Sequence, residues 1–137
     1  MKLVLDASMA ASWCFPDERT SSTQRVLADL AERAAALAPR LWAYEIRSVV
    51  LKGLRRERIG HDDAQAFLDA LAAIPIRLLD PPYDNVFRTA KRFDLSFYDA
   101  AYLELALREG LPLATLDCQL QNAASAANVT LYEATAP

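Results

Sequence analysis

Histidine occurs once in this chain, at His61, cysteine only at Cys14 and Cys118, and glycine three times. One histidine and two distant cysteines supply neither a zinc site nor a disulfide framework. Both thiols are expected to be buried and reduced. Long apolar runs are missing too. Asp6 interrupts the N-terminal run of MKLVLDASMAASWCF too early for a signal-peptide core, and no stretch is long enough to span a bilayer. The expectation is a cytoplasmic protein with no membrane partner. A surplus of positive charge is also absent: the formal net charge is -3, which argues against a broad basic face for nucleic acid. Basic residues do gather locally at Lys52, Arg55, Arg56 and Arg58, the pattern of a solvated helix face. Repeats and low-complexity linkers are absent, the alanine-rich stretches 31–38 and 123–127 reading as helix.

What is present fits one globular domain over residues 1–137. At 53% hydrophobic and 24% charged residues the composition is neither disordered nor fibrous. KLVL (2–5) is a short apolar run ending in Asp6, the pattern of a buried strand, and a short helix follows until Pro16. A cap at Ser21 or Ser22 opens a helix through Val26, Leu30 and Leu37 that Pro39 ends. A second strand is placed around 38–41. Leu41, Trp42, Ile46, Val49, Val50 and Leu54 mark the next helix, ended near Gly60, and another restarts at His61 and runs to Pro75. IRLL (76–79) reads as a strand. Pro81-Pro82 opens a helix, Ser96 caps one that Gly110 ends, LPLATLD (111–117) is a strand, a helix runs from Gln119 to Ala127, and NVTLYE (128–133) is a last strand. Strands alternating with helices predict an α/β fold, a three-layer α/β/α sandwich around a mainly parallel sheet, with ligands at the carboxyl ends of the strands.

Two acids, Asp6 and Asp117, directly follow strands, and each by itself reads equally well as a helix N-cap. Asp99 is harder to place. On its helix it neighbours Leu95, Ser96, Tyr102, Leu103 and Ala106, and a buried unpaired carboxylate is costly; a first-turn acid favoured by the helix dipole explains its face poorly. Glu45 lies near Leu41, Trp42 and Val49, although Ser48 and Lys52 share that side and allow an exposed Glu45–Lys52 face. Two carboxylates about 4 Å apart repel by roughly 4 kcal/mol at an effective dielectric of 20. Four converging acids therefore require a cation or protons, and an oxygen-only set suits Mg²⁺ or Mn²⁺. Such a cluster can work on a phosphodiester without a protein nucleophile.

VLDASMAASW, LWAYEIRSVV, LSFYDAAYLELAL and LPLATLDCQL, in this order and spacing, resemble the PIN-domain family, in particular the VapC-like toxins of bacterial toxin–antitoxin pairs. The resemblance covers nearly the whole chain. It implies metal-dependent endoribonuclease activity with Mg²⁺ or Mn²⁺, an RNA substrate, inhibition by a cognate antitoxin, and a homodimer or toxin–antitoxin hetero-oligomer. Carried over residue by residue, the four family acids fall on Asp6, Glu45, Asp99 and Asp117, as catalytic and metal-holding residues. Supporting hydroxyls fall on Ser8 and Thr115, which as a helix-start hydroxyl and a β-branched strand residue also have ordinary structural roles.

Other readings are weaker. A receiver-type phosphotransfer domain needs a lysine near a late strand, and none follows Lys91; a haloacid-dehalogenase-like phosphatase would carry Asp-x-Asp where this chain has Asp6-Ala7-Ser8. A catalytically idle binding module, whose acids only cap helices, and a PIN nuclease of RNA processing outside a toxin pair stay open. Trp13, Phe15, Leu27 and Leu30 either line an apolar groove for an antitoxin or belong to the core.

Overall fold

The computed structural model describes residues 1–133. Its elements in chain order are β1 (Lys2–Leu5), α1 (Ala7–Ser12), α2 (Ser21–Glu32), β2 (Ala35–Pro39), α3 (Leu41–Arg55), α4 (His61–Leu71), β3 (Ile76–Leu79), α5 (Tyr83–Phe93), α6 (Phe97–Glu109), β4 (Leu113–Ala114) and α7 (Cys118–Ala126), with a 3-10 turn at Pro16–Glu18. The strands form one sheet in the order β3-β2-β1-β4, every pairing parallel. Parallel strands need crossovers, which α1 to α6 supply, and the helices cover the sheet in an α/β/α arrangement. Leu3, Val4 and Leu5 are each 0% exposed, so β1 is covered on both faces. No helix among the described residues is long and apolar enough to cross a membrane.

Because all strands point one way, the chain leaves each of them at the same edge. Asp6 follows β1, Arg40 follows β2, Asp80 follows β3 and Thr115 follows β4. The order reverses between β1 and β4, since β2 and β3 lie to one side of β1 and β4 to the other. That is a topological switch point, where open α/β sheets place their ligands.

Several local expectations change in three dimensions. Thr20, rather than Ser21 or Ser22, caps α2, in a reciprocal pair with Thr23. Ala35 to Leu37, read as helix, are strand: pairing with Lys2, Leu3 and Val4 on one side and with β3 on the other outweighs alanine's helix preference. β4 is only Leu113–Ala114, and the last strand shrinks to one parallel bridge between Leu113 and Leu131. Cys14 is buried as expected, whereas Cys118 is exposed, because α7 begins there at the surface. Trp13, Phe15 and Leu30 are buried and Leu27 is partly buried against the cluster that holds Trp13 and Leu30, so core packing takes most of these four side chains, although Trp13 also lines an open recess with Leu54, Ile59 and Phe67.

α6 is more central than an amphipathic surface helix. Residues 100–106 are all buried, because α5, α7 and the strands β1, β2 and β4 pack around it. Ser96 accepts from the Asp99 N–H at 3.1 Å to start α6, and Gly110 ends it at φ 64, a left-handed position that favours glycine.

Candidate active site at the carboxyl edge

Asp6 sits where β1 becomes α1, the position of a helix N-cap, yet its side chain caps nothing. Instead Oδ2 accepts from Thr115 Oγ1 at 2.6 Å and from Ser8 Oγ at 2.7 Å. The two hydroxyls stand 3.3 Å apart, and Ser8 Oγ also accepts the Leu116 N–H at 2.9 Å. Thr115 Oγ1 accepts the Asp117 N–H, while Gln121 donates to the Thr115 carbonyl. This web fastens the end of β1 to the loop after β4. Asp117 caps α7, accepting from Gln119 N–H at 2.9 Å, and its charge also raises Asp6 and Asp99.

Glu45 comes from the second turn of α3 and Asp99 from the first turn of α6. Tyr102, one turn beyond Asp99, is fully buried, and its hydroxyl donates to Glu45 Oε1 at 2.5 Å. Glu45 does not sit on a fully exposed face with Lys52: Glu45 is half-buried against Tyr102, whereas Lys52 is exposed.

Electrostatics separates these acids from the other buried carboxylates of the chain. Asp29 and Glu104, both buried, are paired with Arg33 at 2.7 Å and Arg108 at 2.8 Å. Among the described residues neither Asp6, Glu45, Asp99 nor Asp117 has such an arginine or lysine partner. The Asp6 carboxyl is pushed above the usual range by burial, with the Thr115 and Ser8 hydroxyls pulling it back and the Asp117 charge adding to the rise. Glu45 is raised by burial, opposed by the Tyr102 hydrogen bond and reinforced by Asp6 and Asp99. Asp99 is raised by burial and then by Asp117 and Asp6. The strongest charges acting on these groups are one another.

The structure thus brings all six expected residues, Asp6, Ser8, Glu45, Asp99, Thr115 and Asp117, to one neighbourhood. The donor chemistry, carboxylate and hydroxyl oxygen with no histidine or thiol, fits a hard divalent cation. The side chains are grouped but not closed on a point: among the described residues no three His, Cys, Asp or Glu groups stand close enough to hold one ion. Sequence reasoning counted Tyr102 only as a neighbour of Asp99. Its place one turn further along the same face, with a polar tip on an apolar body, was the available signal.

Against known proteins, residues 3–126 match the model of the PIN domain. Ribonuclease VapC3 of Pyrobaculum aerophilum is 33% identical over 124 residues, covering 88% of this chain and 92% of that protein. Exonuclease VapC9 of the same organism is 36% identical over 80 residues, 58% of this chain and 60% of its own. Among solved structures, PAE2754 of Pyrobaculum aerophilum superposes with a TM-score of 0.67 at 30% identity, covering 90% of this chain and 87% of the other. Mycobacterium tuberculosis VapC20, a toxin that cleaves the sarcin–ricin loop, shares the fold with a TM-score of 0.67 at 18% identity, over 96% and 98%. With nearly the whole length matched, and four acids on four elements gathered at the switch point of a parallel sheet, this chain belongs to the PIN-domain family.

Proposed function

We propose that this protein is a divalent-metal-dependent endoribonuclease and the toxin of a toxin–antitoxin pair. The observation that carries the reading is the convergence of Asp6, Glu45, Asp99 and Asp117 with no basic partner, the first three raised by burial and by the charges of other acids in this group, while the buried acids Asp29 and Glu104 are paired with arginine. Ribonuclease VapC3, at 33% identity, supports the substrate class. The solved VapBC2 of Rickettsia felis and FitAcB of Neisseria gonorrhoeae, of the same fold, support an antitoxin partner.

In this reading Asp6, Glu45, Asp99 and Asp117 would hold Mg²⁺ or Mn²⁺ by drawing closer together than they stand here, and the ion would supply charge neutralisation at a phosphodiester and activation of water. Ser8 and Thr115 fix the rotamer of Asp6 by converging on Oδ2. Tyr102 fixes Glu45 by donating to Oε1 and opposes part of the rise that burial gives its carboxyl. Asp117 keeps its loop ordered by capping α7, so one carboxylate aligns backbone and site.

The direct test is cleavage of linear and circularised RNA by purified protein with Mg²⁺, with Mn²⁺ and with EDTA. Cutting of the circle only with metal is the expected result. Shortening of linear RNA alone would support the exonuclease reading that VapC9's name raises. Thermal melts with Mn²⁺ test the metal separately: wild type should shift upward by mass action and Asp6→Asn should not. An inert protein whose melting ignores metal would be the idle module.

A further inference from the structure

We propose that Tyr98, with Leu116 on the other flank, forms an apolar rim on the acidic centre, on which bases of single-stranded RNA rest while the carboxylates face the phosphodiester. The proposal rests on the ribonuclease reading above and adds how the substrate is held. Tyr98 immediately precedes Asp99 in the first turn of α6. It also stands four residues before Tyr102, so the two tyrosines share a side of the helix. Helical side chains lean toward the N-terminus over the preceding turn, and the Tyr102 hydroxyl, at the end of that lean, donates to Glu45 Oε1 at 2.5 Å. Glu45 is thereby brought beside the turn that carries both Tyr98 and Asp99, and the Asp99 charge acts on it. Leu116 lies between Thr115 and Asp117, its N–H donating at 2.9 Å to Ser8 Oγ, the hydroxyl that also holds Asp6. Tyr98 therefore borders the Glu45 and Asp99 half of the centre, and Leu116 the Asp6 and Asp117 half.

Both side chains face solvent: Tyr98 is 64% exposed and Leu116 42%. Tyr102, one turn further along the same side of α6, is fully buried, so this side passes from core to solvent at the acidic centre. Single strands are held by aromatic rings under their bases and by cations along their backbone. Cations are missing here: among the described residues no arginine or lysine pairs with the four acids, and the formal net charge of the chain is -3. Stacking of an uncharged ring on a base is an attraction that the surrounding carboxylates do not oppose. It is the contact by which an acidic centre can hold a polyanion, and it leaves the phosphates free to meet the carboxylates and their ion. Every base has a π-face, so the ring positions a nucleotide without selecting its identity. Leu116 has no ring and adds only apolar contact.

The test is steady-state cleavage of a short single-stranded RNA with Mn²⁺, alongside a series of the same RNA in which one nucleotide at a time is abasic. Tyr98→Ala should raise KM roughly tenfold with little change in kcat, because stacking acts before and during the reaction alike. Tyr98→Phe should keep the wild-type KM, and Leu116→Ala should raise it roughly threefold. Phe87→Ala, which removes an exposed ring from α5, a helix without any of the four acids, should change nothing. One abasic position should raise KM for the wild type and have no effect in Tyr98→Ala. The rim is overturned, and the nuclease reading stands, if no abasic position matters or if it costs the variant as much as the wild type. The same holds if Tyr98→Ala lowers kcat and the Mn²⁺-induced rise in Tm with KM unchanged, since the ring then serves Asp99. Unchanged kinetics with loss of antitoxin co-purification would make Tyr98 a protein contact and also overturn the rim. If the wild type cleaves no RNA, the nuclease reading falls and the rim with it.

Discussion

Tyr102 Oη donates to Glu45 Oε1 at 2.5 Å, a hydrogen bond that ties the central helix α6 to α3 through one of the four acids. Burial and the Glu45 carboxylate both hold the proton on the tyrosine, so it acts as a fixed donor. The bond opposes the upward push that burial exerts on Glu45.

Tyr102→Phe should therefore leave the fold intact at a cost of about 1 kcal/mol, because Glu45 is half-exposed and water replaces part of a charged hydrogen bond. Cleavage should fall roughly tenfold, a typical cost of losing a ligand's supporting contact. Mn²⁺ titration of the variant should show weaker binding. Unchanged cleavage with lowered stability would make Tyr102 a packing residue only.

Asp99→Asn should abolish RNA cleavage while the protein remains folded. The substitution preserves shape, removes one charge from a group that Asp117 and Asp6 repel, and should keep or raise stability in EDTA. Antitoxin binding, read by co-purification, should persist. Full activity in the folded variant would remove Asp99 from the mechanism.

The raised carboxyls of Asp6, Glu45 and Asp99 set a sign for the pH dependence without metal. A carboxyl whose folded pKa lies above its unfolded value holds its proton more tightly in the native state. Its contribution is full below the unfolded pKa and is lost as pH rises through the folded one. In EDTA, urea melts should show wild type losing stability relative to Asp99→Asn as pH climbs from about 4 toward neutrality. With Mn²⁺ the trend should reverse, since the ion takes the deprotonated groups. A difference that stays flat with pH in EDTA would show that Asp99 titrates alike folded and unfolded.

Gly53 lies inside α3 with the Phe15 ring against it; an added Cβ would meet ring atoms at 2.6 and 2.7 Å. Phe15 is buried and Arg58 lies over its ring, 4.1 Å from the centroid, so the ring has little room to yield. Gly53→Ala gains up to about 1 kcal/mol of helix propensity but overpacks at a cost of about 1–3 kcal/mol. A net loss near 1 kcal/mol, about 3–5 °C in Tm, is expected by calorimetry. A rise in Tm would show that the ring moves freely.

The alternation of short apolar runs with helical spacing was legible in the sequence, as were Ser96 and Gly110 bounding α6, because capping and left-handed termini depend on the residues at those positions. The inward lean of Asp99 was legible from its apolar neighbours. The family motifs single out the same six candidate residues that the structure gathers at the carboxyl edge. Ala35–Pro39 was misplaced because strand pairing is a long-range contact that no local window contains. The surface position of Cys118 and the reduction of the last strand to one bridge were likewise settled by what packs against them. By itself the sequence determined which acids exist and which elements carry them. Only the tertiary structure decided which carboxylates are neutralised by arginine, which are left to repel one another, and that Tyr102 holds Glu45: a charge's environment is set by neighbours far along the chain.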